Sequence, residues 1–296
     1  RAPARRARTM RARPARTGWG AMGEGRAEQG GFGLAPGERI AAMAAQGMVR
    51  AGRDLAHGQI QPASLDLRLG ARAYRVRASF LPGPTRTVEA ALAGLRFDEI
   101  DLTGDGAVLE RGCVYVVPLE ERLDLPADVA ALANPKSSTG RLDIFTRLIA
   151  DRADVFDAAP AGYRGPLYAE VSPRSFSVRV REGSRLNQIR FRRLDPGRRD
   201  ARLTLSDAEL AARHARAALV DGDIALRDGL IVRIALAAGA LGDVIGYRAQ
   251  KHADIVDVDR IGAYAREEFW DEIRARPDAR LILDPGEFYI LASREK

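Results

Sequence analysis

Three short stretches of this chain hold side chains that can do chemistry. Asn134-Pro-Lys-Ser-Ser-Thr-Gly-Arg141 gathers two serine hydroxyls, a glycine and two cations between apolar strands. Phosphate oxygens are recognised by such a set, with hydroxyl and backbone donors and a planar Arg fork. The Gly-x4-Gly-Lys spacing of a nucleotide P-loop is absent. On composition alone the segment reads equally as a polar surface loop. Gly162-Tyr-Arg-Gly-Pro-Leu-Tyr-Ala-Glu170-Val runs from a turn into a strand. A lone carboxylate between Ala169 and Val171 can be desolvated, which suits general acid–base work. It reads equally as an outward Glu on an alternating strand. Gly183-Ser-Arg-Leu-Asn-Gln188-Ile-Arg-Phe is a turn followed by a strand.

The elements around these stretches are mostly short strands. Ser64–Gly70 alternates, with Leu65, Leu67 and Leu69 on one face, which predicts a half-buried strand. Residues 73–80 could continue it, and further strands are expected at 108–119 (ending near Pro118), 129–133, 144–150, 167–171, 176–180 and 188–192. Arg147 interrupts an otherwise apolar run. Many short strands separated by Gly, Pro and Ser argue for an all-β barrel or sandwich. A short helix is expected over 36–50, with Ile40, Met43 and Met48 on one side. Ser206 followed by Glu209 marks the start of a second helix.

Composition narrows the function classes. The formal net charge is +7, but residues 1–17 hold seven arginines and no acid, so residues 18–296 are balanced. The basic character belongs to a tail rather than to a nucleic-acid-binding face, and nucleic acid is not an expected partner. That tail reads either as a gene start placed upstream of Met10 or Met22, or as a targeting segment. No apolar run reaches the roughly 18–20 residues of a membrane span, so no membrane is expected. With one cysteine, Cys113, no internal disulfide can form, which fits a reducing cytoplasm. Cys113 is expected to be a buried strand residue. One Cys with the scattered His57, His214 and His252 also cannot build the zinc site of metal-dependent deaminases.

The chain also repeats itself. Residues 107–121 align with 281–295 at an offset of 174, pairing Gly112 with Gly286, Tyr115 with Tyr289 and Glu121 with Glu295. More loosely, Ser64–Gly70 matches Leu230–Leu236. Chance similarity between two Gly-turn strands is the other explanation. The expected organisation is a disordered tail (1–34), a first β-domain (35–194), a linker with a helix (195–222), and a second β-domain (223–296). That second domain is expected to be incomplete, stopping before its counterparts to residues 134–191.

In order and spacing these segments resemble the dCTP deaminase branch of the dUTPase superfamily. Gln61-Pro-Ala-Ser-Leu-Asp-Leu-Arg-Leu-Gly70 looks like its early strand motif. Lys136-Ser-Ser-Thr-Gly-Arg141 looks like its Ser-Ser-x-x-Arg phosphate motif. Tyr163-Arg-Gly leading to Glu170 looks like its catalytic strand, and Gly183–Phe191 like its Gly-x-x-x-x-Gln strand. The resemblance covers roughly 130 residues, and the two-copy layout resembles a longer duplicated bacterial form.

The resemblance implies a mainly β fold. It would be a dUTPase-like distorted barrel or jelly roll of the β-clip type, repeated twice with a helical linker. It implies hydrolytic deamination of dCTP to dUTP and ammonia. Glu170 would be the general acid–base, and Ser137 would help place the water. Lys136, Ser137, Ser138 and Arg141 would hold the triphosphate, with Mg2+ bound through the phosphates and no zinc. Asp157, Tyr163 and Gln188 complete the substrate-binding set, and a trimer-like homo-oligomer is implied. The loop before Gly162 is longer than the family's Asp-Pro-Gly turn, and Val155 stands where the family has a base. The family's closing C-terminal arm is not recognisable after Phe191. Two other readings stay open: a dUTP diphosphatase depending on Asp157, and a triphosphate-binding module without catalysis.

Overall fold

A computed structural model of the protein describes residues 33–195, 204–239 and 242–295. Residues 1–32 of the expected tail, and 196–203 of the expected linker, lie outside the described residues. Gly33 and Leu34 were expected in the tail, but they pair with Arg193 and Arg192.

Helix α1 (Gly37–Ala45) follows and buries Ile40 and Met43. Met48 lies beyond the helix end and packs on the core from there. β1 (Ser64–Arg68) and β2 (Arg72–Val76) follow. Thr87 caps the one-turn helix α2 (Val88–Leu92) by accepting from the Ala90 amide at 3.2 Å. β3 (Arg96–Asp101) comes next. The strand expected over 108–119 is two strands, β4 (Ala107–Leu109) and β5 (Val114–Asp124). Gly112, at a φ of +79°, turns the chain between them, a conformation that favours glycine. β5 also runs on through Pro118. That residue lies opposite Tyr168, where the pairing with the neighbouring strand shifts register, so its missing N–H is tolerated.

β6 (Val129–Pro135), the one-turn helix α3 (Ser137–Arg141) and β7 (Ile144–Ala150) lead to β8 (Arg164–Pro173), β9 (Val178–Val180) and β10 (Arg185–Arg193). One sheet runs Ala158–Ala159, β6, β10, β1, Ile60–Gln61. The second runs β7, β8, β5, β2, β3. Their facing sides share one core. Leu65, Leu67, Leu69, Ile189 and Phe191 of the first sheet meet Leu148, Leu167, Ala169 and Val171 of the second, all at 0–1% exposure. Each such leucine contributes about 1.5–3 kcal/mol on burial. The Leu69–Leu119 bridge joins the sheets at one corner, and α3 connects them at another. The expected mainly β, barrel-like fold is what the residues form. A second apolar cluster of Val76, Val88, Leu92, Val116, Ile149 and Tyr168 covers the outer face of the second sheet.

α4 (Asp207–Arg216) carries the expected capping box, with Ser206 and Glu209 bonded reciprocally. Beyond it, β11 (Val244–Ala249) is flanked by β13 (Trp270–Arg274) and β14 (Tyr289–Leu291), while β12 (Val256–Asp257) joins β9. The repeat recurs in the hydrogen bonding. The Tyr115 hydroxyl accepts from the Glu110 amide at 2.9 Å, and the Tyr289 hydroxyl from the Asp284 amide at 3.0 Å. Arg68 donates its amide and Nε to Glu121, and Arg233 donates its amide and Nε to Glu295. Arg68 therefore corresponds to Arg233, one residue away from the loose sequence match. A slip of one residue exchanges the two faces of a strand.

Candidate active site

The phosphate-suited segment sits where the chain leaves the first sheet. The Lys136 amide donates to the Leu186 carbonyl at 2.9 Å. Thr139 is buried and its hydroxyl donates to the same carbonyl at 2.8 Å. These two bonds pin α3 and leave Ser137, Ser138 and Arg141 exposed on its outer side. A short helix of this kind also presents unpaired amides at its start. Lys136 reaches back to Asp66 in an ion pair whose carboxylate side is 2% exposed. Gln188 is cross-strand from both Asp66 and Asn134. Its Oε1 accepts from the Ser64 hydroxyl at 2.7 Å, and its Nε2 donates to the Pro135 carbonyl at 3.4 Å.

Glu170 lies in the middle of β8, 2% exposed, opposite Arg147 of β7. Its Oε1 accepts from Arg147 Nη2 at 2.7 Å and Nε at 3.1 Å. Its Oε2 is buried with no partner among the described residues, as is the hydroxyl of Ser172 two positions along the same face. The Arg147 guanidinium lies 3.6 Å from the Phe156 ring centroid and also donates to Ser79 Oγ at 2.6 Å. A buried carboxylate is costly unless paired, and Arg147 supplies the pair.

Asp157 stands at the rim of the same group, at a φ of +60°. Its Oδ1 accepts from the Leu148 amide at 2.7 Å and its own amide donates to the Leu148 carbonyl at 2.9 Å. Burial pushes its carboxyl above the usual range, against the lowering effect of the Leu148 bond and of Arg147; the Glu170 charge pushes it further up. Tyr163 takes no part in this group. Its buried hydroxyl accepts from the Asp151 amide at 3.0 Å and donates to the Pro166 carbonyl at 2.5 Å. Burial pushes that hydroxyl up to about 12.

The structure thus makes two groups from the eight candidate residues. Glu170 and Asp157 meet through Arg147. Lys136 meets Gln188 through Asp66. Thr146 next to Arg147 bonds Asn187 next to Gln188 across the sandwich. Alternation then puts Arg147 and Glu170 on the outer face of the second sheet, and Gln188 and Asp66 on the outer face of the first. Arg147 and Asp66 were missed as site residues. The signal was present, because a charged residue inside an apolar strand needs a buried partner. Cys113, expected in a buried strand, is half-exposed in the turn before β5, with Arg75 Nη2 2.7 Å from its sulfur. Turn formation around Gly112 takes it out of the strand. Among the described residues, no three His, Cys, Asp or Glu side chains come together as metal ligands would.

Comparison with known proteins decides the family. The N-terminal domain of 2'-deoxycytidine 5'-triphosphate deaminase matches residues 31–195, and the C-terminal domain of the same enzyme matches 206–296. The chain belongs to the dCTP deaminase family. A dCTP deaminase of Halorubrum lacusprofundi is 31% identical over 141 residues, covering 46% of this chain and 64% of that protein. A "dCTP deaminase, dUMP-forming" of Methanoculleus marisnigri is 30% identical over 139 residues, covering 47% and 69%. The crystal structure of 2'-deoxycytidine 5'-triphosphate deaminase from Agrobacterium tumefaciens superposes with a TM-score of 0.82 at 50% identity. That match covers 89% of this chain and 76% of the other. The two-sheet architecture is therefore the dUTPase-like β fold of this family. No helix among the described residues is long and apolar enough to cross a membrane.

Proposed function

We propose that the chain hydrolyses dCTP to dUTP and ammonia, as its family membership and the Glu170 site support. The observation that carries this reading is a buried carboxylate with one oxygen held by Arg147 and the other without a partner among the described residues. In this reading Glu170 Oε2 takes a proton from water as the oxygen adds to C4 of the cytosine, and passes it to N3. The proton of the new C4 hydroxyl then travels by the same carboxyl to the amino nitrogen. Ammonia leaves and C4 keeps the carbonyl. Ser137 helps place the water. Lys136, Ser138 and Arg141, with the α3 amides, hold the triphosphate. Mg2+ on the phosphates would neutralise part of their charge, and the reading uses no zinc. Asp157 and Gln188 complete the substrate-binding set. Tyr163 supports it from beneath, through the turn it fastens.

Gln188 and Glu170 occupy opposite outer faces of one sandwich. A single substrate touching both needs a second copy of the chain, which supports a homo-oligomer, trimer-like as in the superfamily. The lone Cys113 supports a reducing cytoplasm as the working compartment. The diphosphatase reading is weaker, because the Asp157 carboxylate it needs is tied to the Leu148 amide.

The test is a substrate panel with two readouts. With dCTP and Mg2+, ammonia release lost in Glu170→Ala supports deamination. Diphosphate release from dUTP, lost in Asp157→Ala and retained in Glu170→Ala, supports the diphosphatase. Tight dCTP binding with neither product supports a binding module and rejects both enzymes.

A further inference from the structure

We propose that Arg147 is the positioning residue of this site: it fixes Glu170 by one oxygen, so that both proton transfers run through the other. The proposal rests on the deaminase reading and adds a residue and a division of labour within the carboxylate.

The guanidinium is held on several sides. Nε and Nη2 both donate to Oε1, at 3.1 and 2.7 Å. The second Nη2 hydrogen goes to Ser79 Oγ at 2.6 Å. The Phe156 ring lies 3.6 Å from Cζ, and the Phe145 ring 5.0 Å away. Arg147 and Glu170 are direct cross-strand partners in an unbroken register from Ile144–Pro173 to Ala150–Leu167. Neither side chain can turn away without giving up several of these contacts.

The consequence is an asymmetric carboxylate. Among the described residues, Oε1 has two donors and Oε2 has none. Oε2 and the Ser172 hydroxyl, also unpartnered among the described residues, belong to side chains on one face of β8 whose backbone positions are about 7 Å apart. Deamination asks one carboxyl to accept a proton from water and deliver it to N3, then to repeat the trip from the C4 hydroxyl to the leaving nitrogen. A carboxyl free to rotate would present either oxygen. A fixed one keeps a single basic oxygen in line for every transfer. Lysine, a point charge without a planar fork, cannot bind Oε1 with two donors and Ser79 at once.

The experiment measures ammonia release from dCTP and Mg2+ by the full chain and by Arg147→Met, Arg147→Lys and Glu170→Gln. Arg147→Met is expected to lose about 100-fold in kcat, within the range a well-placed acid–base supplies. KM should change by less than about threefold, since the lost interaction is not a substrate contact. Arg147→Lys should recover part of kcat. Added guanidinium ion should restore part of the Arg147→Met rate and none of the Glu170→Gln rate. If Arg147→Met fails to fold, Arg147→Lys decides: a reduced kcat at unchanged KM supports the proposal, and a wild-type kcat overturns it. An Arg147→Met protein that keeps wild-type kcat, or loses rate through KM alone, also overturns it. If the wild-type chain releases no ammonia, the deaminase reading fails separately. The Arg147–Glu170 coupling is then read from melting temperatures of the single and double variants. Non-additive shifts support the clamp, and additive shifts overturn it.

Discussion

In the region 64–124, Arg68 donates its amide and Nε to Glu121. In the region 230–295, Arg233 makes the same two bonds to Glu295. Gly112 and Gly286 turn at φ of +79° and +80°. The Leu69–Leu119 bridge recurs as Ile234–Ser293. Tyr74 faces Val116 and Glu99, and Tyr247 faces Ile290 and Glu272. Burial is where the regions part. Leu67, Leu69 and Leu109 are at most 1% exposed, while Val232, Ile234 and Leu283 are 59%, 54% and 54% exposed. In the first region β6, β7, β8 and β10 cover those leucines, and the described residues hold no second set of these strands. The frame is therefore set by local turns and paired bonds, whereas the core depends on strands that join later. Every candidate catalytic or phosphate-binding residue lies on or between those later strands. Among the described residues, the second region repeats the frame and holds no second copy of those strands.

This contrast can be broken by matched substitutions. Arg68→Met leaves the fully buried Glu121 without its cation and should cost about 3–5 kcal/mol. Arg233→Met, at a side chain 49% exposed beside a Glu295 side chain 6% exposed, should cost less, because water reaches the guanidinium of this pair. Urea unfolding of both variants checks the pair, and equal losses would contradict the burial difference. Next in size, Leu67→Ala should cost about 2–5 kcal/mol through the cavity it leaves. Val232→Ala should stay within about 0.5 kcal/mol. The smallest difference lies in acid. Asp157 has a carboxyl raised by burial, so it takes up its proton more readily when folded. Folding gains stability as pH falls through its pKa and loses it as pH rises. Glu295 is held below the usual range by the Arg233 amide and guanidinium, so its contribution runs the other way and is lost as pH falls. Asp157→Asn should remove the first dependence and Glu295→Gln the second, read as opposite changes in the slope of stability between about pH 3 and 6.

Most of the strands of the first domain could be read from the sequence because short apolar runs between turn residues are a local signal: 144–150 was legible to the residue. The Gly112 turn, Pro118 inside β5, and the short helices α2 and α3 were not. Each depends on a neighbour far along the chain, as α3 does on the Leu186 carbonyl. The repeat was legible at Gly, Tyr and Glu, and its strongest local trace was overlooked. Phe97-Asp-Glu-Ile100 and Trp270-Asp-Glu-Ile273 stand 173 residues apart and form the matching edge strands β3 and β13. In the site, Glu170 could be singled out because its neighbours are apolar. Its link to Arg147 is a cross-strand pairing, and that register is written in the folded sheet rather than in either segment.

Glu170→Gln keeps the shape and burial of the side chain while removing its acid–base function. Ammonia release from dCTP by this variant, compared with the wild type at saturating dCTP and Mg2+, is the decisive measurement. Loss of at least about 100-fold in kcat by a folded protein is expected if Glu170 carries the proton. A variant that releases ammonia at the wild-type rate would place the chemistry elsewhere and contradict the assignment.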